Sequence, residues 1–166
     1  GVRFTHTAMI GRQSLQLGRR DLKTSFASFG EAIDDSLADA VLIENSGYAE
    51  PLIKRLGANI IHSFDRSDYE GATHLHDMNN PLPVGLQERY TAVFDGGSLE
   101  HVFNFPVALR NCMEMVNIGG HYVGITPANN FMGHGFYQFS PELYFSVFTR
   151  ENGFELIRLL AFEDSP

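Results

Sequence analysis

Residues 90–127 read YTAVFDGGSLEHVFNFPVALRNCMEMVNIGGHYVGITP, and the order of elements in this stretch decides the fold. Tyr90 to Phe94 is a continuous apolar run, the pattern of a strand covered on both faces, and it stops at Asp95-Gly96-Gly97. Residues 104–116 follow with helical spacing, and Pro106 lies near their start, where its missing N–H costs least. Gly119 and Gly120 then turn the chain into a second strand, His121 to Thr126, stopped by Pro127. A strand, a helix and a second strand in this order form a crossover unit, the connection that parallel neighbours require.

Working outward, Arg3 to Ile10 reads as a first strand that ends at Gly11. Leu22, Phe26, Phe29, Ile33 and Leu37 fall three or four apart and predict one long helix over 21–40, with Gly30 weakening its middle. A shorter helix is expected from Ala49 to Leu56, with Pro51 in its first turn and Gly57 just past its end. Two strands follow, Asn59 to Phe64 and Thr73 to His76, each ending in an acid, Asp65 and Asp77. Beyond Pro127 come a loop rich in Asn and aromatic residues (128–141), a helix from Pro141 to about Arg150, and a last expected strand from Glu155 to Phe162. The alternation predicts an α/β domain over 1–166 with a mainly parallel sheet covered by helices.

Composition narrows the function. Hydrophobic residues at 43% and charged residues at 19% belong to an ordinary globular chain rather than a disordered one. A formal charge of −8 leaves no surplus of Lys and Arg for a phosphate backbone, which excludes a nucleic-acid partner and leaves a small-molecule substrate. Cys112 is the lone cysteine and lies on a predicted helix, so a small core residue is the expectation. No apolar run of about 18 residues exists and no secretory segment opens the chain, so no membrane association is expected and a cytoplasmic location is. The chain opens at Gly1 with no initiator methionine, which fits a fragment of a longer protein.

In open parallel sheets, ligands bind beyond the carboxyl ends of the strands, where the strand order reverses. An acid after the second strand can accept two hydrogen bonds from a ribose diol, and one after the third can accept from an adenine amine. Asp65 and Asp77 stand in those places, and Asp95 ends the next strand. Aspartate also serves as a turn former or helix cap at such points, so each acid alone has a second explanation.

The stretch from Tyr90 to Pro127 resembles the class I S-adenosylmethionine-dependent methyltransferases. There, too, a strand ends in an acid, a loop carrying L-E-H-V follows, and a helix and a Gly-Gly turn lead to the next strand. The loop NNFMGHGFYQFSPELY (129–144) is most similar to a bacterial subgroup of these proteins. The resemblance implies a Rossmann-like, mainly parallel sheet with helices on both faces, lacking its last strand if the chain is truncated. It also implies S-adenosylmethionine as cofactor, with Asp65 and Ser67 in the ribose turn and Asp77 and Met78 in the adenine turn. Gly11, Asp95 and Gly96 would complete the cofactor set. The departure lies after the first strand, where the family carries G-x-G-x-G and this chain has Gly11-Arg12-Gln13, two long side chains where backbone would meet the cofactor. The absence of G-x-G-x-x-G also argues against a dinucleotide oxidoreductase.

Methyl transfer is an in-line displacement that depends on orientation, with a base only where the acceptor carries a proton. His101 follows Glu100 in the loop after the fourth strand, and His134 lies between Gly133 and Gly135; these two histidines are the catalytic candidates. Asn129, Asn130, Phe136 and Tyr137 offer the aromatic walls and polar groups of an acceptor pocket. Glu100, His101 and His134 form at most a partial, scattered N/O ligand set, so no metal is expected. The expected activity is methyl transfer to a hydroxyl, less readily an amine, of a small metabolite or glycan-type acceptor. The alternative is a catalytically silent relative that works as a binding or scaffold protein.

Overall fold

The computed structural model describes residues 1–163. Five strands, β1 (His6–Ile10), β2 (Ile60–Asp65), β3 (His74–Leu75), β4 (Tyr90–Gly96) and β5 (Val116–Ile125), form one sheet in the order β3-β2-β1-β4-β5. Every pairing is parallel. Between β1 and β2 lie helices α1 (Arg19–Ser28), α2 (Asp35–Ile43) and α3 (Glu50–Arg55); between β4 and β5 lies α4 (Phe105–Met115); α5 (Pro141–Val147) follows β5. The order reverses between β1 and β4, so the carboxyl ends of these two central strands flank the switch point. The architecture is α/β and Rossmann-like.

Side-chain alternation along β1 assigns the two faces. Met9 meets Ala49 and Ile53 at the α3 side, whereas Ala8 and Ile10 join Val93 from β4 and Ala108, Leu109, Cys112 and Met115 from α4. Helices therefore cover both faces, as expected. Cys112 is fully buried, and that burial pushes its thiol well above the ordinary range, so it is a core residue. The face that carries Ala8 also carries imidazoles from three strands: His6 contacts the Tyr90 ring, His74 contacts His62, and His62 Nδ1 shares a 2.9 Å hydrogen bond with the Tyr90 hydroxyl.

Three expected elements differ. The long helix over 21–40 is two helices, because Gly30 takes φ +82 and Asp34 caps a new start by accepting from the Leu37 N–H at 2.8 Å. A cap of this kind contributes about 1 kcal/mol. Phe29, read as part of the apolar stripe, is 90% exposed at the break. The Gly119-Gly120 turn is an irregularity within β5: Tyr90 pairs with Val116 and Ala92 with His121, so the intervening residues swing out of the ladder. The strand expected from Glu155 to Phe162 does not form. Phe154 and Leu156 pack against the main core, Ile157, Leu160 and Phe162 are exposed, and among the described residues no neighbouring strand offers its N–H and C=O groups. Among the described residues no helix is long and apolar enough to cross a membrane.

Candidate functional site

The turn after β1 is built tightly. Gly11 has φ +70, and a Cβ there would lie 2.7 Å from Ser98 Oγ, so both conformation and space demand glycine. Gln13 folds back across the switch point, its amide donating to Ile10 O at 2.5 Å and lying 3.1 Å from Ser98 Oγ. Its other end lies 2.5 Å from where a Cβ on Gly96 would stand. Arg12 points toward the outer strands: it donates to Glu50 at 2.6 Å and to the Glu70 carbonyl at 2.7 Å, and its guanidinium lies 4.0 Å over the Tyr48 ring. The two long side chains that interrupt the glycine pattern are therefore anchored, one across β1 and β4 and the other beside the loop after β2.

The three acids have different surroundings. Asp65 ends β2, is half-buried, and accepts from the Ser67 N–H at 2.9 Å while Ser67 itself is exposed. Asp77, two residues past β3, accepts from the Asn79 backbone N–H at 2.9 Å and from the Asn79 side-chain amide at 2.7 Å. Those bonds, with a smaller effect from Arg66 nearby, hold its carboxyl below the usual range and keep it ionised. Met78 beside it belongs to the core at 6% exposure. Asp95 is fully buried, accepting from the Ser98 N–H at 2.8 Å, with the Tyr122 hydroxyl at 3.4 Å. Burial foremost, and the charge of Glu100 further down, push it up to about 7. Tyr122, whose part the sequence did not signal, comes from β5 and reaches Asp95 because Val93 pairs with Tyr122 and Asp95 with Gly124 in the ladder.

A second cluster forms where the 3-10 turn Leu99–His101 meets the loop after β5. The carbonyl of Glu100 accepts from the N–H groups of Phe136 (2.7 Å) and Tyr137 (3.2 Å), while the Tyr137 hydroxyl donates to Phe103 O at 2.6 Å. Gly135 is required by closeness, since a Cβ would lie 2.8 Å from the Glu100 carbonyl oxygen. These bonds bring His134 to Glu100, with Nε2 3.5 Å from Oε1, and to His101, with ring centroids 4.8 Å apart. An open pocket of about 300 Å³ is lined by His101, Gly133, His134, Gly135 and Phe136. The two catalytic candidates thus meet, and Phe136 joins them. Asn129 and Asn130 are exposed and, like Tyr137, lie outside the pocket lining.

Glu100 is 1% exposed, and its Oε2 has no hydrogen-bond partner among the described residues. One ligand-capable atom from each of Glu100, His101 and His134 lies within 4.8 Å of the others. The sequence contained all three residues but carried no signal that the loop would return to the 3-10 turn.

No family model, curated protein or solved structure matches this chain.

Proposed function

We propose that this protein is a class I-type methyltransferase that transfers a methyl group from S-adenosylmethionine to a hydroxyl, less readily an amine, of a small metabolite or glycan-type acceptor. The observation that carries the reading is the placement of Asp65 at the carboxyl end of β2 and of Asp77 two residues past the end of its parallel neighbour β3, in a sheet whose switch point lies between β1 and β4. In this reading Asp65 accepts from the ribose diol, with Ser67 on the same turn, and Asp77 and Met78 border the adenine. Gly11, Gly96 and the Asp95 turn shape the methionine side. His101 takes the acceptor's proton as the sulfonium methyl departs, leaving the neutral thioether, and His134 and Phe136 border the acceptor. A reducing cytoplasm suits the unpaired, buried Cys112.

The test is calorimetric titration of the protein with S-adenosylhomocysteine, alongside Asp65→Ala and Asp77→Ala. Micromolar binding, weakened in both variants, is expected. A folded protein that binds no nucleoside, or binds equally well in both variants, overturns the reading.

One observation favours a second reading, a catalytically silent binding protein: Gln13 fills the gap between the turns after β1 and β4 with its own hydrogen bonds. The same titration separates the two, because a silent relative takes up no S-adenosylhomocysteine.

A further inference from the structure

Outside the acidic strand ends, two side-chain clusters stand out: the imidazoles His6, His62 and His74 on the sheet face, and Glu100 with His101 and His134 at the loop pocket. In the first, His62 Nδ1 is engaged by the Tyr90 hydroxyl at 2.9 Å, and among the described residues no carboxylate is gathered with the three imidazoles as a ligand set. The second has a different character. It combines one carboxylate with two imidazoles, and two of the three side chains border an open pocket.

We propose that Glu100, His101 and His134 bind a divalent first-row transition ion, with the remaining coordination positions open to the pocket. Three features support this independently of any cofactor. Glu100 is almost fully buried, yet its Oε2 has no hydrogen-bond partner among the described residues, and a buried carboxylate with an idle oxygen calls for a cation or a proton. The donor atoms are already gathered, each within 4.8 Å of the others, and His134 Nε2 lies 3.5 Å from Glu100 Oε1. Ligands about 2.0–2.2 Å from a tetrahedral zinc stand about 3.3–3.6 Å from one another, so the 3.5 Å His134–Glu100 edge is formed and the other edges have at most about 1.5 Å to close.

The third feature is that backbone rather than metal assembles the site. The Phe136 and Tyr137 N–H groups bind the Glu100 carbonyl two and three residues past His134, so backbone hydrogen bonds by themselves fasten the ligand loop beside Glu100. Such preorganisation suits an ion with three protein ligands and open positions for water or substrate. The two imidazoles select against calcium and magnesium, which prefer all-oxygen surroundings. A hydroxyl ligated there would have its proton loosened by the ion, which would then replace imidazole as the activating group. Ion binding does not rest on the methyl-transfer reading: it is measured without nucleoside, and the failure of either leaves the other standing.

The experiment is titration of chelator-stripped protein with Zn²⁺ by calorimetry, and with Co²⁺ by visible absorption. His101→Asn and His134→Asn are compared with wild type, and His62→Asn serves as a control in the other imidazole cluster. Both ligand histidines are exposed, so their replacement spares the core, and circular dichroism verifies the fold. One ion per chain is expected, with affinity falling at least about tenfold in His101→Asn and in His134→Asn and unchanged in His62→Asn. No stoichiometric binding by the folded wild type, unchanged affinity in either ligand variant, or a loss in His62→Asn overturns the assignment.

Discussion

Gln13 and Ser98, 85 residues apart in sequence, are joined by a 3.1 Å contact from Gln13 Nε2 to Ser98 Oγ, and both side chains donate to the carbonyl of Ile10. The last residue of β1 is thereby tied to the turn after β4, and the mouth of the switch point is spanned by protein rather than left open. A ligand entering there has to displace the Gln13 amide, so its affinity carries the cost of breaking those bonds.

Gln13→Ala removes that competitor. Net contributions of about 1 kcal/mol for each of its two hydrogen bonds predict that S-adenosylhomocysteine binds roughly 30-fold more tightly to the variant, while the protein itself loses about 2 kcal/mol of stability. Parallel calorimetric and urea titrations measure both effects; affinity equal to or below wild type would mean that Gln13 does not stand in the ligand's path.

The imidazole layer predicts sensitivity to acid. Burial foremost lowers the pKa of His6, His62 and His74, with Arg89 adding to it for all three and the neighbouring imidazoles His74 and His6 adding to it for His62. The folded state therefore prefers neutral rings. Their contribution is fully present above the unfolded value of 6.5, and stability falls as pH drops below it, because the unfolded chain binds more protons. Relative to wild type, His62→Phe should therefore lose less stability, or gain more, as pH falls from 7 to 5, read as the pH dependence of the difference between their urea midpoints.

Asp95 works in the opposite direction. Its folded pKa, raised from 3.8 to about 7, makes the protonated acid the favoured native form, so the group's contribution is lost as pH rises from about 4 to about 7. Asp95→Asn keeps an acceptor for the Ser98 N–H without a buried charge. Above pH 7 the variant should be more stable than wild type by up to a few kcal/mol, and the difference should vanish near pH 4. An equal difference at both pH values would rule out charge burial as its origin.

Gly135→Ala tests how the loop is fastened. The added Cβ, 2.8 Å from the Glu100 carbonyl oxygen, forces the loop outward and weakens the Phe136 and Tyr137 bonds to that oxygen. A destabilisation of about 1–3 kcal/mol is expected. Amide exchange should show Phe136 and Tyr137 losing protection while β1 and β4 keep theirs.

Sequence alone determined what depends on neighbouring residues. The apolar run Tyr90 to Phe94, Pro51 and Gly57 around α3, Pro106 at the start of α4, and an acid near the end of each of β2, β3 and β4 are set by local sterics, capping and burial period. Those rules made the parallel α/β sheet legible. The apolar stretch within Glu155 to Phe162 misled, because a strand exists only where another strand completes its hydrogen bonds, and so did the stripe over 21–40, which Gly30 breaks.

Tertiary structure alone decided which distant residues meet. Gln13 reaches Ser98 because β1 and β4 are sheet neighbours, and Tyr122 reaches Asp95 through the β4–β5 register. His134 reaches Glu100 because the Glu100 carbonyl holds the Phe136 and Tyr137 N–H groups, a contact that no local pattern encodes. Spacing along a chain fixes faces and ends, whereas proximity between loops is fixed by the sheet that carries them, and the chemistry of the loop pocket depends on that proximity.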